Sequence, residues 1–194
     1  MIEKLKEING YYTRYRDEVN HRNSRVIMYM IHGGIPISMF VIITQAAMQY
    51  YNAMMLAFRL LIYYMFLFVL YRPVLQKLKN QTILIYLLQI PVLSTALLMG
   101  TFMDREHQAI TIFVFLSVLP IIILDRPLHL VAWVIGWLTL FVVCSYQVKT
   151  FHVFRGDLLY SLEFGSATLM TAVVITIARI RVIRDLKQAK KEDL

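Results

Sequence analysis

Six apolar runs, each approaching twenty residues and none carrying more than one formal charge, dominate this sequence and restrict what it can fold into. They occupy 26–47, 53–71, 82–103, 109–124, 128–146 and 158–178. A helix rising 1.5 Å per residue needs about twenty residues to cross the roughly 30 Å of hydrocarbon in a bilayer. Each run reaches or approaches that length, the fourth being the shortest. The runs are continuously apolar and lack the ~10-residue in-and-out alternation of barrel strands, so helices are expected. Composition agrees: 59% of the 194 residues are hydrophobic and 16% charged, too little polar surface to cover a water-soluble domain. The expected fold is therefore all-α, a polytopic transmembrane helix bundle of six spans. It falls into a polar segment at 1–25, a transmembrane domain at 26–178 and a charged connector at 179–194.

Orientation follows from where the basic residues sit. Lys4, Lys6, Arg14, Arg16, Arg22 and Arg25 precede the first run, and Arg72, Lys77 and Lys79 lie between the second and third. Arg126 lies between the fourth and fifth, and six more follow the last run. Only Arg105, Lys149 and Arg155 occupy the opposite loops, and Arg59 lies within a run. Lys and Arg concentrate in cytoplasmic loops, so both termini are expected in the cytoplasm, which an even number of spans requires. The same distribution accounts for the net charge of +8 without nucleic acid, which is rejected as a partner. The partner is the lipid bilayer. Loops of about five, ten, five, three and eleven residues hold no extracellular domain and make successive helices antiparallel neighbours.

No catalytic residue is expected, because no HExxH, GxSxG, Walker A or CxxC pattern occurs. With one cysteine, Cys144, and five scattered histidines, no metal site and no cofactor are expected. The informative residues are polar ones at membrane depth, which are costly and therefore functional candidates. Arg59 and Glu163 both lie roughly 9 Å in from the outer side. They are expected to face the bundle interior and pair, either as a structural ion pair or as the floor of an outward-facing pocket for a small molecule or lipid; the alternative is that Arg59 snorkels to the headgroups. Gln89 lies mid-span beside Pro91, whose missing N–H frees a carbonyl for a hydroxyl or a neighbouring helix to satisfy. Gly33 and Gly34 would let helices approach closely. His32 reads either as a hydrogen-bonded structural group or as a pH-sensitive one. Tyr11, Tyr12 and Tyr15 belong either to an interfacial helix at headgroup level or to a frayed tail. In the turn 120–127 (PIIILDRP), Asp125 is expected to cap the fifth helix, Pro127 to open it and Arg126 to anchor to phosphates. After the sixth run, Ile180, Ile183 and Leu186 recur on a helix free of Gly or Pro, either as the start of a coiled coil or as an exposed basic rod.

The tyrosine-rich start, the six runs with minimal loops, the DRP turn and the exit segment RIRVIRDLKQAKKEDL together resemble a known family. It is that of the N-terminal membrane modules of bacterial, Firmicutes-like diguanylate cyclases with a GGDEF domain. The resemblance implies a homodimeric sensor that passes an outer-face signal through helix six to cytoplasmic domains making cyclic di-GMP. No GG[DE]EF motif occurs in these residues, so the activity would belong to a longer parent. A small transporter or channel is the alternative.

Overall fold

The computed structural model describes residues 10–192 other than 11, 13, 79, 104 and 108. Six helices account for nearly all of it: α1 (Arg16–Ala47), α2 (Tyr51–Tyr71), α3 (Gln81–Leu98), α4 (Thr111–Ile122), α5 (Pro127–Val148) and α6 (Phe151–Glu192). Each contains one of the six apolar runs or most of it. Five regions are long and apolar enough to cross a membrane: α1, α2, α3 with the π-helical turn Met99–Met103, α5, and α6 as far as Arg179. The bundle's outward faces carry exposed Phe40, Phe66, Val69, Met170 and Val174, a coat suited to lipid rather than water.

Local signals explain three of the helix starts. Asp17 and Glu18 occupy the first turn of α1, where the helix dipole favours negative charge. Asn80 caps α3 by accepting from the Ile83 N–H at 3.3 Å. Pro127 opens α5 as expected, but the N-cap is Arg126, not Asp125. Several helix boundaries differ from the hydropathy limits. α1 starts ahead of the apolar run, and α6 begins at Phe151 inside the stretch read as an eleven-residue loop. Hydropathy reports where lipid starts, whereas helix is set by backbone bonding, which continues into polar residues.

One core runs the length of the bundle, built from Ile27 and Ile31 of α1, Ile85 of α3, Ile112 of α4, and Leu130 and Phe141 of α5. α1 packs on α2 where Gly34 faces the Tyr64 ring; a Cβ there would lie 2.5 Å from that ring. The glycine is thus a close-approach device, as its sequence context suggested. Pro91 lies within α3, and in the turn it disturbs the Leu88 carbonyl accepts the Tyr63 hydroxyl of α2 at 3.1 Å. His32 Nδ1 lies 2.7 Å from the Met28 carbonyl on an exposed face of α1, matching the hydrogen-bonded structural reading.

The shortest helix carries the most information about the path of the chain. α4 has 12 residues, roughly 18 Å at 1.5 Å per residue. Its entry is fixed at one end of the bundle, where the Ala109 N–H donates to Asp157 Oδ1 at 2.9 Å. Its exit is fixed at the other end. Leu124 N–H donates to Asn23 Oδ1 at 3.2 Å, and Asn23 Nδ2 donates to the Leu124 carbonyl at 2.8 Å. A helix that stops short leaves backbone groups without partners, and in an apolar setting each must find one. The fully buried Asn23 amide serves as both donor and acceptor, and also donates to Thr82 Oγ1 at 2.9 Å.

Candidate functional site

Arg59 and Glu163 are both exposed on the outside of the bundle, and among the described residues no ion pair joins them. The expectation that they face inward and pair is corrected: depth along a run can be read from sequence, but the direction a residue faces is set by which neighbours the helix packs against. Gln89 does lie inside, 2% exposed, with Nε2 and Oε1 both unpartnered among the described residues. Ile180, Ile183 and Leu186 fall within the helical stretch of α6, but their side chains lie outside the described residues, as does Tyr11. No group of three His, Cys, Asp or Glu that could hold a metal occurs among the described residues, and Cys144 is a free, half-buried thiol.

The structure instead gathers polar chemistry at the two ends of the bundle. At the end bearing the α3–α4 and α5–α6 turns, Lys149 Nζ and Asp157 Oδ2 form an ion pair at 2.9 Å, their side chains 0% and 1% exposed. Lys149 also donates to the His107 carbonyl at 2.8 Å, and Asp157 Oδ2 accepts from Ser145 Oγ at 2.5 Å. With the Ala109 N–H on Oδ1, this cluster clamps the α3–α4 connection, the last turn of α5 and the first turns of α6 together. A buried pair holds only when further hydrogen bonds support it, and here the His107 carbonyl, Ser145 and the Ala109 N–H supply them. Sequence reasoning counted Lys149 as a loop charge and passed over Asp157. The signal available was spacing: Ser145 with Lys149, and Asp157 with Ser161, each four apart on one helical face.

At the opposite end, a cleft of about 690 Å³ opens between the start of α1, the first turns of α3 and the first turns of α5. Tyr12, Arg16, Tyr86, Asp125, Arg126 and Trp133 line it. Asp125 is turned inward, its Oδ2 accepting from the Tyr86 hydroxyl at 2.8 Å and lying 3.1 Å from His129 Nδ1. That engagement explains why Asp125 does not cap α5. The Tyr86 and Trp133 rings meet at 5.1 Å, so aromatic side chains bridge α3 and α5 along the cleft wall. Tyr12, expected at headgroup level if interfacial, is 6% exposed and packs with Val19, Leu124 and Ile177. Burial, then the nearby Asp125 charge, raise its phenol well above the ordinary value, so it stays a neutral hydroxyl.

The first cluster is a buried clamp, and the second is an accessible cleft rimmed by cations. Compared with known proteins, the chain matches no family model, no curated protein and no solved structure.

Proposed function

We propose that this chain is a membrane sensor and signal-transmission module of six spans, with both termini in the cytoplasm. It passes an outer-face or intramembrane signal along α6 to a cytoplasmic output domain. The carrying observation is that α6 is one helix of 42 residues, roughly 63 Å long at 1.5 Å per residue. Its first turns hold Asp157 in the buried clamp, and its last residues extend beyond the candidate span that ends at Arg179. A rod anchored in a buried polar clamp at one end and leaving the bundle at the other couples the two sides mechanically. Support for a six-pass path comes from α4, whose entry and exit bond to opposite ends of the bundle.

The resemblance noted above makes the output a GGDEF-type diguanylate cyclase acting as a homodimer. Reading the native coding frame beyond Leu194 tests this: a GGDEF-type domain in that frame is the expected result, and a stop codon in its place would contradict it. The second reading, a small transporter or channel, is favoured by one observation. Gln89 is a buried amide with no partner among the described residues, two residues from a proline inside α3.

A further inference from the structure

The geometry points to the cleft between α1, α3 and α5 as a binding site for the phosphate headgroup of an anionic phospholipid in the leaflet that meets this end of the bundle. The inference rests on the bundle lying in a membrane, not on its signalling role. Three features carry it: a surplus of donors, an excess of positive charge, and an apolar track leading out of the cleft.

Arg16 and Arg126 both line the cleft, and among the described residues neither guanidinium has an ion-pair partner. Two further wall donors, the Tyr12 hydroxyl and Trp133 Nε1–H, are buried with no acceptor among the described residues. The lining carboxylate, Asp125, already has Oδ2 engaged by Tyr86 and by His129. Of the charged groups that act on Tyr12, three are arginines, Arg22, Arg126 and Arg179, against Asp125 alone. Arg179 Nη1 is itself buried without a partner. A wall rich in donors and poor in free acceptors suits a phosphodiester, whose oxygens accept only and pair with guanidinium geometry.

The track distinguishes a lipid from a soluble anion. Ile83 lines the cleft, and exposed Leu87 and Ile90 continue the same face of α3 toward the middle of the bundle. Ala132 lines it from α5, followed on that face by Gly136, beside which there is open space, and by exposed Leu140. A headgroup held by Arg16 and Arg126 thus has an acyl path between two helices. With the bundle in a membrane, the aromatic pair Tyr86 and Trp133, each within the first two turns of its helix, would lie near the headgroup boundary, where such rings concentrate.

Native mass spectrometry of the purified chain, equilibrated with equal amounts of phosphatidylglycerol and phosphatidylcholine, tests the site. One retained phosphatidylglycerol per chain is expected, with phosphatidylcholine not retained. Arg16→Gln and Arg126→Gln should each weaken retention roughly tenfold, the scale of one charge-assisted contact, whereas Arg72→Gln should not. Retention unchanged in a folded double variant, or equal retention of both lipids by the wild type, would overturn the proposal. Displacement of the lipid by millimolar inorganic phosphate would also overturn it, assigning the site to a free anion. Should the double variant not fold, Trp133→Phe removes one donor and leaves the cations. Reduced phosphatidylglycerol retention in that variant supports the site, and undiminished retention overturns it.

Discussion

Asn23 shows how much can depend on one side chain in this bundle. Its amide closes a two-way hydrogen-bonded bridge with Leu124 in a fully buried position, repairing the backbone that α4 leaves open at its exit. Asn23→Leu would strand a buried N–H and a buried carbonyl. At about 1–3 kcal/mol for each orphaned group, the variant should lose about 2–6 kcal/mol, read as a lowered unfolding midpoint in detergent. The Lys149–Asp157 clamp gives a sharper signature. Removing either partner alone leaves an uncompensated buried charge, so Lys149→Met and Asp157→Asn should each cost about 3–5 kcal/mol. The double variant Lys149→Met/Asp157→Asn should recover much of that loss in a thermal double-mutant cycle; additive losses would show that the two do not act as a pair. Neither residue stood out in the sequence. Asn23 and Asp157 lie just outside the apolar runs, where polar residues are ordinary, while Arg59 and Glu163 drew attention because they interrupt the runs. Interruption marks an expensive residue; it carries no information on which side of the helix it faces.

At the scale of elements, hydropathy found all six helices but misjudged where several begin. The stretch 147–157 has the polarity of a loop, yet all of it after Thr150 is the start of α6, because Asp157 finds its partners inside the bundle. The opposite error occurs at α4, whose apolar run 109–124 is longer than its 12 helical residues. The remainder is non-helical chain held by Asp157 and Asn23, and no residue pattern announces it. Helix contacts were more legible. Gly34 has no room for a side chain beside Tyr64, so Gly34→Leu should cost about 1–3 kcal/mol through overpacking of the α1–α2 seam. Pairing it with Tyr64→Ala should restore part of the loss in the same unfolding assay; a Gly34→Leu variant as stable as wild type would show that the seam is looser than described.

On the scale of the whole molecule, the all-helical bundle was plain from the runs alone. The arrangement of polar groups into a buried clamp at one end and a cation-rimmed cleft at the other was not. Those groups come from segments far apart in sequence: Asn23 meets Leu124, Tyr86 meets Asp125, and Ala109 meets Asp157. α6 joins the two ends as one continuous helix. If it carries the signal, loosening the clamp with Asp157→Asn should change the output of the full-length protein while leaving its membrane insertion intact. If the proposed cyclase output follows α6, a comparison of cyclic di-GMP made by membranes bearing wild-type and variant protein with that output would read this, and identical output would separate the clamp from signalling.

The most direct test of the account is the sidedness of its loops, because transmission from one face to the other requires α4 to complete a sixth crossing. Single cysteines at Gln76, Arg105 and Arg181, each exposed in the structure, would be introduced after Cys144→Ser and labelled in intact cells with a membrane-impermeant thiol reagent. The account predicts labelling at position 105 alone until the cells are permeabilised, when 76 and 181 become reactive together. Labelling of 76 and 181 from opposite sides would mean that α4 does not cross, that the termini face different compartments, and that the account is wrong.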